Sequence, residues 1–118
     1  AGAGFVLAGL TYSFGAGNDD IYIVKTDAEG GLEWQKQYGG SGYDEAFSIS
    51  AAGEGFILAG STSSWGALNH DGLLMLVDSS GNSVWSRTFG GSGNEAFYSA
   101  AATTDGGFIA AGVTNSEN

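Results

Sequence analysis

A glycine-rich run that ends in two acidic residues is the first place in this sequence where chemistry could be concentrated. Residues 39–46 read Gly-Gly-Ser-Gly-Tyr-Asp-Glu-Ala, which matches the calcium-binding nonapeptide G-G-x-G-x-D-x-U except that Ala46 is small. Glycine turns let backbone carbonyls reach a calcium ion, which takes about six to eight oxygens. Residues 14–21 match more loosely, so Asp19 and Asp44 are candidate calcium ligands. The alternative is a turn between strands whose Asp accepts backbone N–H bonds, and the isolation of the two matches favours it.

Two longer loops combine an aromatic side chain with amides and carboxylates. Such a set could bind a sugar, because the ring stacks on the apolar face of the sugar and the polar groups bond its hydroxyls. The alternative is that the aromatics pack over a sheet edge and the Asp begins the next strand. The candidate ligand-binding residues are Phe14, Asn18, Asp19 and Asp20 in one loop, and Trp65, Asn69, His70 and Asp71 in the other.

The same residues give little support for catalysis. His70 is the only histidine, and the G-x-S-x-G turn of a serine nucleophile is missing from the sequence. The neighbouring carboxylates Asp19 and Asp20 would point to opposite faces of an extended strand, which is poor geometry for an acid–base pair. We therefore predict no catalytic residues and no enzyme, with no cofactor beyond a calcium ion.

Composition restricts the partners. The 118 residues include 13 acidic and 3 basic side chains, for a net charge of −10. Nucleic acid and anionic membrane surfaces require a basic face, so both are disfavoured. No apolar run approaches the roughly 18 residues of a spanning helix. The chain has no Cys, which excludes disulfides and thiolate metal sites. Hydrophobic residues make up 42% and Gly accounts for 22 residues, so a folded, glycine-punctuated chain is expected.

The glycines belong to an internal repeat. The run Gly4–Gly9 returns as Gly55–Gly60 after 51 residues and as Gly107–Gly112 after a further 52. The runs Glu45–Phe47 and Glu95–Phe97 are identical but only 50 apart, which predicts that one residue has been lost after the glycines. Further pairs 51 apart are Asp20 and Asp71, Asp27 and Asp78, Gly30 and Gly81, Trp34 and Trp85, and Gly39 and Gly90.

Short runs of alternating or apolar residues within this period predict strands and no helix. Gly and Asn at 27–31 and 78–82 predict hairpin turns, since these residues tolerate positive φ. The predicted strands cover residues 5–10, 21–26, 32–38, 45–50, 56–61, 73–77, 83–89, 96–101 and 108–113.

Four antiparallel strands in about 50 residues are typical of a β-propeller blade. The Gly-Phe-Ile-Leu-Ala-Gly run, the Asp-Ile-Tyr-Ile-Val-Lys-Thr-Asp run, Trp34 with Gly39-Gly40, and Glu-Ala-Phe resemble the propeller repeats of secreted bacterial and archaeal proteins. Those repeats are related in pattern to NHL, kelch-like and quinoprotein blades. The Asp27, Gly30, Trp34 spacing is similar to the tryptophan-docking motif of quinoproteins, without its full pattern.

The resemblance implies an order of strands. Glu-Ala-Phe would be the innermost strand of a blade, and Trp34 and Trp85 would lie on the outermost. Residues 1–44 would then form three strands of a first blade, 45–94 a complete second blade, and 95–118 two inner strands of a third. This is about two and a quarter blades, which cannot close a ring of about four to eight. The predicted blade-packing residues are Trp34, Trp85, Phe5, Phe56 and Phe108.

Two functions are compatible with such a chain. The first is a non-catalytic extracellular module for binding or adhesion to a glycan or a surface protein. The second is a structural subunit that assembles edge to edge, through strand complementation, into a ring or an extracellular filament. In that assembly, strand 95–102 of one chain would complete the first blade of the next. A fragment of a longer propeller would account for the copy number equally well.

Overall fold

Nine β-strands make up the regular structure of the residues that the computed structural model describes, which are 4–11, 19–64 and 69–115. These residues contain no helix, and so none that could cross a membrane. For these residues, the predicted all-β structure and its nine strands are confirmed. The strands are β1 (Phe5–Thr11), β2 (Asp20–Thr26), β3 (Leu32–Tyr38), β4 (Asp44–Ala52), β5 (Gly55–Thr62), β6 (Asp71–Val77), β7 (Ser83–Phe89), β8 (Glu95–Ala102) and β9 (Phe108–Thr114).

Some strands begin earlier than their apolar residues predict. β4 begins at Asp44 and β6 at Asp71, and both residues pair with Thr62 of the strand between them. Backbone hydrogen bonding therefore extends these strands to polar residues, which the alternation of hydrophobic residues alone does not predict to be strand.

The strands form three antiparallel sheets in chain order. The first sheet is β1-β2-β3, the second is β4-β5-β6-β7 and the third is β8-β9. Each strand pairs with its neighbour in the chain, so the sheets are simple meanders. The first strands of the second and third sheets, β4 and β8, each contain a bulge, between Ala46 and Ser48 and between Phe97 and Ser99 respectively.

Two of the hairpin turns are built alike. Asp27 Oδ1 accepts hydrogen bonds from the backbone N–H groups of Glu29 and Gly31, at 3.0 and 2.8 Å. Asp78 makes the equivalent pair of bonds at 2.9 Å each. Gly30 and Gly81 both have a φ of 87°, a conformation that glycine adopts without strain. The predicted turns are confirmed.

The first hydrophobic core lies between the first and second sheets. Ile21 and Ile23 of β2 are fully buried against Phe56 and Leu58 of β5 and their neighbours on the second sheet. Trp34 packs across this core with its ring 6.4 Å from that of Phe56. These contacts stack the first sheet face to face on the second.

The second hydrophobic core lies between the second and third sheets. It uses the alternate residues of β5, Ile57 and Ala59, because successive side chains of a strand point to opposite faces. Trp85 contacts Phe108 of the third sheet edge to face, with ring centroids 5.6 Å apart. Every residue of β5 is buried as a result.

The structure corrects the predicted alignment of the inner strands. Asp44 pairs with Thr62 as Glu95 pairs with Thr114, so Asp44 and Glu95, which are 51 residues apart, are equivalent. The prediction that one residue is lost after the glycines is wrong. The identical letters Glu-Ala-Phe at a spacing of 50 are a coincidence, because pairing across the sheet, and not letter identity, sets the register.

Candidate functional site

A groove of about 280 Å³ opens between β4 of the second sheet and β8 of the third. Two aromatic rings form one wall, with Phe47 on β4 and Tyr98 on β8 at a centroid distance of 5.0 Å. Glu45, His70 and Asn94 supply polar groups to the lining. Phe47 and Tyr98 are 42% and 51% exposed, which leaves both rings accessible to a ligand.

Strand alternation places these side chains. Glu45 and Phe47 are two residues apart on β4, and Phe47 and Tyr98 are 51 residues apart at equivalent positions of the two inner strands. Stacking of the second and third sheets therefore brings the two rings together. The sequence alignment had matched Phe47 with Phe97, so Tyr98 was missed.

Backbone contacts fix the polar side of the groove. The backbone N–H of His70 donates to Asn94 Oδ1 at 3.1 Å, and the His70 carbonyl accepts from Glu95 N at 2.7 Å. The ring of Tyr43 lies 6.3 Å from the His70 imidazole. His70 is thus held between the starts of β4 and β8.

Glu45 carries the main electrostatic feature of the groove. Burial raises the pKa of its carboxyl group above the ordinary 4.5, and the negative charge of Asp19 and a hydrogen bond to it raise that pKa further, while His70 lowers it. Asp19 is 7% exposed, and its Oδ1 has no hydrogen-bond donor among the described residues. Glu45 therefore releases its proton less readily than an exposed carboxyl group does.

The predicted calcium ligand Asp44 lies in a separate, closed site. It is fully buried, and its carboxylate accepts hydrogen bonds from Gly40 N at 3.1 Å and Ser64 Oγ at 2.9 Å, and from the Thr62 hydroxyl. Asp44 N also donates to the Asp19 carbonyl at 2.8 Å. This geometry is that of the turn given as the alternative to calcium, because Asp44 accepts a hydrogen bond from the backbone N–H of Gly40 in the glycine run.

Glu95 closes the equivalent turn one sheet later. It accepts from Gly91 N at 3.1 Å and from Thr114 Oγ1 at 2.7 Å. Glu95 therefore occupies, after the second glycine run, the position that Asp44 occupies after the first. Within residues 4–11, 19–64 and 69–115, no three His, Asp or Glu side chains are arranged to hold a metal ion, and the choice of the turn over calcium stays a prediction.

The glycines of these turns are required by the carboxylates. A Cβ on Gly39 would lie 2.2 Å from Asp20 Oδ1 and 2.9 Å from Asp44 Oδ2, and a Cβ on Gly90 would lie 2.3 Å from Asp71 Oδ1. Asp20 and Asp71 begin β2 and β6 and pack against this backbone. Both are predicted from the sequence to bind a ligand, and the structure places each at the start of an internal strand, beside a glycine run.

Of the other predicted ligand-binding residues, the structure describes Asn69 and His70. Asn69 Nδ2 donates to the Ser92 carbonyl at 2.8 Å, so this amide ties the loop to the second glycine run. His70 lies in the groove. Phe14, Asn18 and Trp65 lie outside the described residues.

No protein-family model matches the chain, and no curated protein is similar to it in sequence.

Proposed function

We propose that this chain is a non-catalytic β-propeller repeat module that serves in binding or adhesion outside the cell, with saccharides as its ligands. The three sheets would be successive blades, since each is an antiparallel meander stacked face to face on the next. That arrangement is what a propeller requires. The resemblance of the repeat to those of secreted proteins supports the location.

The lining of the groove is the reason for proposing saccharides as the ligands. The Phe47 and Tyr98 rings offer an apolar stacking surface, and Glu45, His70 and Asn94 lie within the same lining. A sugar presents an apolar C–H face and a ring of hydroxyls, which such a lining matches. With a net charge of −10, the chain repels acidic ligands, so neutral saccharides fit better than charged ones.

The carboxyl groups support a binding role over a hydrolytic one. Glycoside hydrolysis needs two carboxyl groups on either side of the scissile bond. Asp19, the group coupled to Glu45, is buried, and Glu95 is held by Gly91 and Thr114. Glu45 is therefore suited to accept hydrogen bonds from a hydroxyl group.

The test is a titration with neutral saccharides. Glucose, galactose, N-acetylglucosamine and their short oligomers are added while amide NMR shifts are recorded. We expect shifts centred on β4 and β8, and affinity about fivefold weaker in Tyr98→Ala, because a stacking contact contributes about 1 kcal/mol. Tyr98→Phe keeps the ring and should keep most of the affinity.

Val84→Ala is the matched control, since Val84 is exposed on β7, away from the groove. Circular dichroism establishes that each variant is folded. Absence of shifts with every saccharide, or shifts that Tyr98→Ala leaves unchanged, would refute the proposal.

A further inference from the structure

Two glycines, one in β5 and one in β9, occupy a position where no side chain fits. A Cβ on Gly60 of β5 would lie 1.9 Å from the Glu45 carbonyl oxygen, and a Cβ on Gly112 of β9 would lie 1.7 Å from that of Ala96. In both cases the neighbouring inner strand has a bulge at this point. Glycine is required because the bulged backbone approaches so closely.

Gly9 holds the same position in β1 without such a neighbour. It lies 51 residues before Gly60, and a Cβ added to it would meet nothing within 4 Å. Its φ is not among the positive values, so the backbone does not require glycine either. The described residues give Gly9 no reason to be glycine, and a bulged strand along the edge of β1 would give one.

The same strand exposes apolar side chains that its counterpart buries. Phe5 and Leu7 are 61% and 55% exposed, whereas the equivalent Phe56 and Leu58 of β5 are 4% and 0% exposed. Phe56 and Leu58 are covered because the first sheet stacks on them. The open face of the first sheet therefore has the composition of a sheet-to-sheet contact already present within the chain.

The third sheet of another copy offers the matching strand. β1 reads Phe-Val-Leu-Ala-Gly-Leu-Thr and β9 reads Phe-Ile-Ala-Ala-Gly-Val-Thr, so either can pair with β8. β9 is mostly exposed, unlike the fully buried β5, because the third sheet has two described strands. Replacing β9 by β1 would bring β2 and β3 with it and complete a sheet of four.

We propose that the edge of β1 binds strand β8 of a second copy of this chain, in place of that copy's own β9. The register follows from the β8–β9 pairing, in which Glu95, Phe97 and Ala102 face Thr114, Gly112 and Phe108. In the assembly they face Thr11, Gly9 and Phe5. Phe5 then contacts Trp85 of the second copy as Phe108 does within one chain. The contact between the two copies therefore repeats the contact between the second and third sheets of one chain.

The first test is the mass in solution, by size-exclusion chromatography with light scattering from micromolar to submillimolar concentration. We expect species of two or more chains of 11.9 kDa at the upper end, after an incubation long enough for β8 and β9 to separate. Gly9→Ala should abolish them while leaving the Tm of the monomer unchanged. Gly60→Ala, the matched substitution, should lower the Tm because the clash it creates is within the chain.

The second test measures register. The chain has no Cys, so the single variants Leu10→Cys and Ala96→Cys can be mixed and oxidised. Leu10 would face Ala96, as Val113 does within one chain, and facing residues of an antiparallel pair lie within disulfide reach. We expect a mixed disulfide for this pair and none for Leu10→Cys with Ala101→Cys.

A monomer at every concentration would overturn the proposal, and would mean that the edge of β1 does not pair with β8 of a second copy. Oligomers that survive Gly9→Ala, or that form without the mixed disulfide, would overturn it too, in favour of face-to-face stacking without strand exchange. Neither test involves a saccharide, so the result is independent of ligand binding at the groove.

Discussion

The carboxylates of Asp44 and Glu95 occupy the same position in successive sheets, although Glu95 is one methylene longer. Each is the first residue of its strand, β4 or β8, and pairs with a threonine, Thr62 or Thr114. Each also accepts a hydrogen bond from a glycine N–H four residues earlier, at 3.1 Å. A carboxylate at this point ties the glycine run to the strand that follows it.

Replacing Asp44 should destabilise the protein strongly. Asp44→Ala leaves the N–H of Gly40 and the hydroxyls of Thr62 and Ser64 without their acceptor. Hydrogen bonds to a buried charge contribute about 1.5–3 kcal/mol each and are not additive, so we expect a loss of about 3–4 kcal/mol. Chemical denaturation measures it.

The control for that variant is Glu54→Ala, which removes an exposed carboxylate and should change stability by less than about 0.5 kcal/mol. Asp44→Glu should cost less than Asp44→Ala, since Glu95 shows that the longer side chain can make the turn bonds. Equal stability of Asp44→Ala and the parent chain would show that the turn does not depend on the carboxylate.

The equivalent turn glycines Gly30 and Gly81 should respond differently to alanine. Both have a φ of 87°, so either substitution costs about 1–2 kcal/mol of backbone strain. A Cβ on Gly30 meets nothing within 4 Å, whereas one on Gly81 would lie 2.7 Å from the Trp34 ring. Gly81→Ala should therefore lower the free energy of unfolding by about 1 kcal/mol more than Gly30→Ala. Equal losses would mean that the second turn does not pack on Trp34.

Stability should depend on pH through Glu45. Its pKa is raised in the folded chain, first by burial and then by Asp19, so the folded state binds this proton more tightly than the unfolded state. The contribution is fully present below the unfolded pKa near 4.5 and is lost as pH rises through the folded value. Glu45→Gln should flatten this decline in a series of melts above pH 4.5.

Asp19→Asn provides the second arm of that experiment. It removes the negative charge that opposes ionisation of Glu45, and should weaken the same pH dependence. A decline that persists unchanged in both variants would assign it to other groups.

Calcium should have no effect on the Tm. Asp44 accepts hydrogen bonds from one N–H and two hydroxyl groups, so its oxygens are already engaged. A site occupied well above its Kd would add a few kcal/mol to stability. We expect superimposable melts in millimolar calcium and in chelator; a higher Tm in calcium, lost in Asp44→Asn, would contradict this.

Strands and turns were predictable because their signals are local. Alternating residues place β3 at Leu32–Tyr38 and β7 at Ser83–Phe89, as the sequence indicates. Asp and Gly in the turns act on their own backbone. The stacking of one sheet on another depends on residues far apart in the chain, so only the structure shows which side chains form each of the two hydrophobic cores.

The site was harder to predict for the same reason. His70 was identified from its own loop, but Phe47 and Tyr98 come from different sheets, and a one-residue error in aligning β4 with β8 hid their equivalence. Asp20 and Asp71 were predicted as ligands from their residue type, whereas their carboxylates pack against Gly39 and Gly90. The pairing of Asp44 with Thr62 and of Glu95 with Thr114, which fixes the equivalence of β4 and β8, is not indicated by any pattern in the sequence.

The stacking of sheets also defines how such a chain can grow. The face that the second sheet turns to the third is equivalent to the face that the first turns to the second, with Trp85 in the place of Trp34. A tandem duplication of residues 44–94 would therefore insert a further sheet, with Asp44 again following a glycine run and each new face meeting a surface of a kind it already contacts. Length can change by whole modules through gene duplication, whereas adding one residue within β4 would turn its side chains to the wrong faces.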